Sequence, residues 1–417
     1  MSRATEATGN SASGFQVALI LLGILVTPVV LASSSLGSQL TLGTAAIAIA
    51  AGSIILALLA AINISIGERA RMPTYGIVKY SFGRKGAVAI NILMAISLFG
   101  WIAVTANTFG HSAHDLLARQ FGLELPIPAI VTFGCVIFVA STAFGFEALG
   151  KVARFAVPII ALLMFYILYL ALTSEVPPAI AEKVSDLSFG AAVSSIVGTI
   201  IVLVATSPDF GAFVHNRKHA IIAGLLTFGV AYPVLFLVGA VPGSMTSQDS
   251  LLAAMAIIGT TLPATILLIF ACITGNAGNM FQGTLVVSTL FSAFAKWKIT
   301  VALGVLAAVV GSMDIMGWFI PFLLFLGIAT PPVCGIYIAD YLVNRRKGFD
   351  EARLDSDAAI KPRTFVAWGV ASFVGFCTVN GWFTLSGIPS VDSILVAFLG
   401  YVLLSRVGAG KSAAQTS

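Results

Sequence analysis

Charge is what this 417-residue chain has least of. Asp, Glu, Lys and Arg together make up 9% of it, where a soluble domain carries roughly 25%. With 58% hydrophobic residues and a mean hydropathy of +1.02, the chain has more apolar surface than a soluble fold can cover. A bilayer covers it readily, because each apolar helix of about 20 residues spans the hydrocarbon core. Cysteine is also scarce. Cys135, Cys272, Cys334 and Cys377 each fall inside an apolar segment, outside any loop pair or metal-ligand spacing. They read as reduced packing residues, which excludes a disulfide framework. The four histidines, His111, His114, His215 and His219, flank apolar segments without acidic or cysteine partners at ligand spacing, and read as solvated boundary residues. Paired acids, histidine clusters and an activated nucleophile are missing as well, which places a transporter ahead of a membrane enzyme.

What is present is a succession of apolar segments, at about 15–34, 42–65, 87–112, 127–146, 152–173, 188–207, 219–241, 252–290, 299–312, 316–340, 364–380 and 389–405. The segment 252–290, with Pro263 and TGNAGN, reads as a short lead-in followed by one irregular span. The formal net charge of +5 is no nucleic-acid signal, because the basic residues sit beside apolar segments. They report orientation instead. Of the 22 Lys and Arg, only Arg119 and Lys183 fall outside the termini and the alternate loops that follow even-numbered segments. By the positive-inside rule this predicts twelve spans with both ends in the cytoplasm. The expected organisation is a disordered cytoplasmic tail over 1–14, a transmembrane domain over 15–405 and a cytoplasmic tail over 406–417. No soluble catalytic domain has room to form, so function must be carried within the bundle, embedded in the lipid bilayer.

No Asp, Glu, Lys or Arg lies near the middle of a span; Asp209, Asp314 and Asp340 come closest, at segment ends. This argues against a buried acid relay and against a strongly charged substrate, and favours a neutral polar solute. Three stretches break the apolar pattern: Gly23 to Pro28, Gly198 to Asp209, and Ala271 to Asn279. Unwound backbone at such places is the sequence pointer to a substrate and ion site. Asn276 places an amide in an apolar segment, where it needs a partner, and Trp101 lies far from the interfaces where tryptophan collects.

The motifs YSFGRKG at 80–86, FGW at 99–101, SPDFGAFVHNRK at 207–218 and ATPPVCGIYIADYLVNRR at 329–346 resemble the nucleobase:cation symporter family, and within it the bacterial cytosine permeases. The similarity runs nearly the whole length. It implies an all-α fold of about 12 transmembrane helices, with a five-plus-five inverted repeat and two additional helices. The first repeat would span 15–173 and the second 188–340, followed by a cytoplasmic loop over 341–363 and the last two helices over 364–405. The implied activity is symport of a small neutral nitrogen heterocycle with sodium or a proton, by alternating access in the cytoplasmic membrane. The resemblance implies substrate contacts at Thr27, Leu98, Trp101, Ile200, Val202 and Asn276, and cation ligands at Gly23, Val26, Ala271, Thr274 and Gly275. Sodium as coupling ion is the one candidate cofactor, and a monomer with no nucleic-acid partner is expected. The chain departs from the family pattern at four places: Gly275 replaces a second threonine, Leu98 a glutamine, Ile200 an aromatic residue, and Thr27-Pro28 an aromatic-serine pair. Other rings (a hydroxymethylpyrimidine, purine, allantoin or hydantoin) are alternative cargoes, and a non-transporting receptor or scaffold is the alternative of another class.

Overall fold

The computed structural model describes residues 11–142, 145–175, 189–313, 315, 322, 325–326, 328–346, 348–350, 354 and 358–413. Asp314, Lys183 and most of the expected 1–14 tail lie outside the described residues. The helices are α1 (Gly14–Gln39), α2 (Leu42–Ala70), α3 (Thr74–Phe82), α4 (Gly86–Phe121), α5 (Ile127–Thr142), α6 (Phe146–Thr173) and α7 (Phe189–Ala205). There follow α8 (Pro208–Gly211), α9 (Arg217–Thr246), α10 (Leu251–Ile258), α11 (Leu262–Leu290) and α12 (Lys296–Gly311). The last three are α13 (Pro331–Asn344), α14 (Pro362–Val379) and α15 (Pro389–Ala413). Among the described residues, seven helices are long and apolar enough to cross a membrane, and the apolar α5 and α7 are shorter. The short lead-in α10 and single long α11 agree with the lead-in and one span expected over 252–290, but α11 is regular.

The bundle exposes an apolar outer surface and buries polar side chains within a mainly apolar core. Phe133, Phe155, Leu162, Phe373 and Leu403 are exposed, while Thr27, Asn63, Thr105, Asn107, Asn276 and Gln282 are buried. A side-chain amide inside hydrocarbon needs a hydrogen-bond partner, so these polar groups sit where other helices can supply one. α1 packs against α6, α9 and α11, α2 against α7 and α9, and α4 against α11. The start of α1 is fixed twice. The Ser13 side chain accepts from the Gln16 amide, and the Gly14 amide donates to His219 Nδ1 at 2.9 Å. Ala12, inside the segment expected as a free tail, exchanges backbone bonds with Phe213 and His215. His219 is thus an acceptor holding a helix end rather than a solvated boundary residue.

Two of the three expected irregular stretches are regular. α1 runs unbroken through Gly23 and Pro28, and α11 through Ala271 to Asn279. Their glycines serve close packing instead of loosening the helices. A Cβ on Gly278 would come 2.2 Å from Ile24 Cγ1, so only a small residue lets α1 and α11 approach this closely. The third stretch is a true break, since α7 stops at Ala205 and the chain turns through α8 before α9. The last carbonyls of a helix lack intrahelical donors and need outside ones. Asn63 Nδ2 donates to Val204 O at 2.8 Å, Tyr337 Oη to Ala205 O at 2.7 Å, and Thr74 Oγ1 to Thr206 O at 3.2 Å.

Candidate functional site

α1, α4, α7 and α11 converge on a cavity of about 30 Å³. α1 contributes Ile24, Thr27 and Pro28; α4 contributes Leu98, Trp101 and Thr105; α11 contributes Gly275, Asn279 and Gln282. α7 and the turn after it add Thr199, Ile200, Val202, Leu203 and Thr206. On α4 and α11 these follow the one-face spacing of a helix: 98, 101, 105 and 275, 279, 282. The Trp101 indole meets Phe322 edge-on, with centroids 6.5 Å apart, and Phe322 packs where Gly100 has no Cβ. The walls are mostly aliphatic, with amides and hydroxyls at a few points, the composition expected of a small-molecule site.

Five of the six substrate positions expected from the sequence, Thr27, Leu98, Trp101, Ile200 and Val202, line this cavity. Asn276 does not. It is 0% exposed, its Nδ2 donates to Ile102 O at 3.2 Å, and its Oδ1 has no partner among the described residues. The amides in the cavity wall are Asn279, which the sequence marks only as the end of an irregular stretch, and Gln282, which it does not mark. The signal was available: they lie four and seven residues beyond Gly275, on one helical face, whereas Asn276 is turned about 100° from Gly275.

The cation positions cluster where α1 and α11 touch. Thr27 Oγ1 donates to Ala271 O at 2.7 Å, and Thr274 Oγ1 lies 3.1 Å from both Phe270 O and Ala271 O. A Cβ on Gly23 would stand 3.3 Å from Thr274 Cβ, and one on Gly275 would stand 2.8 Å from Thr27 Oγ1. A hard cation needs several oxygens with unshared lone pairs directed at it. Here Ala271 O already accepts a hydroxyl, Gly275 offers no side-chain oxygen, and Gly23 and Val26 lie in unbroken helix whose carbonyls are turned to intrahelical amides. The buried side-chain oxygens without partners, Ser33, Ser53, Asn63, Asn91, Asn276, Thr330 and Ser372 among the described residues, lie at other positions. The residues present do not fit a sodium ion.

At one end of the cavity, Gln282 Nε2 donates to Thr206 Oγ1 at 2.9 Å and to Asp209 Oδ2 at 3.1 Å. Asp209 Oδ1 accepts from the Thr74 amide at 2.7 Å. The structure keeps Asp209 at a segment end, just past α7, but buries it there, against the expectation of no buried acid. Asp209 is 0% exposed, in the short turn between α7 and α9, and is tied directly to a cavity-lining side chain. Its burial pushes the carboxyl up to about 6, against the opposing effect of the hydrogen bonds from Thr74 and Gln282.

Residues 6–404 match the family described as permease for cytosine/purines, uracil, thiamine, allantoin. The chain belongs to this family. Cytosine permeases of Escherichia coli strain K12 and of Escherichia coli O157:H7 are each 25% identical over 383 residues, covering 89% of this chain and 86% of theirs. Among solved structures, Mhp1, a nucleobase-cation-symport-1 family transporter in a closed conformation with bromovinylhydantoin bound, superposes with a TM-score of 0.79 at 19% identity. The match covers 96% of this chain and 94% of Mhp1. A sodium-coupled sialic acid symporter shares the fold at a TM-score of 0.65 and 11% identity, over 96% of this chain and 91% of that one. The permease is therefore a multi-pass membrane transporter of the nucleobase:cation symporter family and not an enzyme.

Proposed function

We propose that this permease imports a small, neutral, flat nitrogen heterocycle, cytosine or a related nucleobase, together with a cation by alternating access. The observation that carries the reading is the cavity itself, where an indole stands beside two amides at the crossing of four helices. Trp101 would stack on the ring, and Asn279 and Gln282 would hydrogen-bond its edge, with Thr105 and Thr199 as further hydroxyl partners. The aliphatic Leu98, Ile200 and Val202 supply shape without charge, which suits a neutral solute. A cavity of about 30 Å³ admits one or two waters. A ring therefore enters only when the lining helices separate, as alternating access requires. The alternation of basic residues supports twelve spans with both ends cytoplasmic, and membership of the family supports a five-plus-five repeat with two added helices. Cells lacking their own nucleobase permeases and producing this chain should accumulate radiolabelled cytosine, uracil, hypoxanthine or hydantoin above background. The reading fails if none of these accumulates.

A further inference from the structure

The buried acid beside the cavity is held by neutral hydrogen-bond donors. Asp209 forms no ion pair among the described residues, and a carboxylate held in a protein interior without a cation is costly when ionised. Its surroundings are specific. From α3 it receives the Thr74 amide and faces Tyr75, whose phenol is raised to about 12 by burial and by Asp209 itself. From α13 it faces Tyr337, with Cys334 next to it. From α11 it receives Gln282. On α2, Glu68 is paired with Arg71 at 3.1 Å, and Arg71 also donates to the Val214 and His215 carbonyls, so this cation is committed elsewhere.

The two carboxylate oxygens are not equivalent. Oδ1 holds a buried backbone amide, which must keep its acceptor. Oδ2 holds Gln282 Nε2, which has further acceptors in Thr206 Oγ1 and Thr206 O. A proton therefore adds to Oδ2. The new O–H bond neutralises the carboxylate, and Oδ2 changes from acceptor to donor. Gln282 Nε2 then loses Asp209 as an acceptor and keeps Thr206 Oγ1 and Thr206 O, so the protonation state of Asp209 is felt by the amide that lines the cavity.

We propose that Asp209 is the proton-binding site of this permease and that a proton, taken up on Oδ2 and signalled to the cavity through Gln282, fills the coupling role that the Gly23–Gly275 cluster cannot give to sodium. The proposal rests on the symport reading above. With the carboxyl near 6, both protonation states are reached across physiological pH, as a carrier of protons needs. Proton binding from one side and release to the other leave the acid unchanged over a cycle, and no further reactant is required.

The test uses the purified full-length chain. Infrared titration in detergent between about pH 5 and pH 8 should show a protonated-carboxyl band that grows as pH falls through about 6. The band should vanish in Asp209→Asn and persist, shifted, in Asp209→Glu, with monodisperse elution confirming folding. A band unchanged in Asp209→Asn, or no band, overturns the assignment. In proteoliposomes with choline replacing sodium, an inward gradient of about one pH unit should concentrate labelled ring up to about tenfold at one proton per substrate. Accumulation driven by a sodium gradient alone overturns the proposal. Gradient-free exchange of cytosine, uracil, hypoxanthine and hydantoin is measured alongside. If no ring exchanges, the symport reading fails, while the infrared titration still decides whether Asp209 takes up the proton.

Discussion

At single residues, Trp101 and Asn279 line the cavity, whereas Asn276 is turned away from it and bonds to Ile102. In the proposed pocket Trp101 offers a flat face, and stacking of a base on an aromatic side chain contributes about 1–3 kcal/mol. Trp101→Ala should therefore raise KM by roughly 5- to 150-fold, and Trp101→Phe by much less, in uptake assays normalised to membrane expression. Asn279→Ala should weaken ring binding by a similar factor, because a lost buried hydrogen bond costs about 1–3 kcal/mol. Asn276→Ala should act on stability instead. It removes the bond to Ile102 and should lower the apparent Tm in detergent without a selective effect on KM. Trp101 was legible in the sequence because a deep tryptophan is unusual. Asn279 was not, because composition marks an amide as buried but only the helical face tells which cavity it meets.

Asp209 adds a pH signature at the same scale. Its carboxyl stands at about 6 in the folded chain against 3.8 for an unperturbed one. A raised acid binds its proton more tightly when folded, so its contribution falls as pH rises from about 4 to about 6 and stays low above that. The penalty is on the order of 3 kcal/mol at most. Asp209→Asn should thus raise the apparent Tm at pH near 7.5 and flatten its dependence on pH, which a thermal melt series would register.

At the element scale, the site is built by breaking one helix rather than three. α7 ends inside the protein because Asn63, Tyr337 and Thr74 supply donors to its last carbonyls, and α8 then lies against α2. Gly67 and Gly211 make that approach possible, since a Cβ on Gly211 would come 2.2 Å from Ile64 O and one on Gly67 2.3 Å from Pro208 O. Stacked Phe146 and Phe213, with Phe210 and Phe281, fill the space between α6, the α8 turn and α11. Gly211→Val should push α8 off α2, displace Asp209 from Gln282, and cost both transport and several degrees of apparent Tm. The break at Ser207-Pro208 was readable from its residues. The continuity of α1 and α11 was not, because the same glycines that permit unwinding also permit close packing, and which of the two occurs depends on the facing helix.

For the whole molecule, the fold class follows from scarcity of charge, and the family from motifs spread along the chain. Long apolar helices, an apolar outer surface and buried amides express that composition directly. The distance between Asp209 and Gln282 belongs to a different kind of information, since 73 positions separate them in sequence and only packing of α8 against α11 unites them. The central claim is that a heterocycle crosses the membrane through the pocket beside Trp101. Uptake of radiolabelled cytosine, uracil, hypoxanthine and hydantoin into proteoliposomes containing the purified chain or its Trp101→Ala variant tests it most directly. At least one ring should be taken up by the unaltered chain, and the variant, folded and incorporated equally, should lose most of that uptake. Equal uptake by both, or none by either, would contradict it.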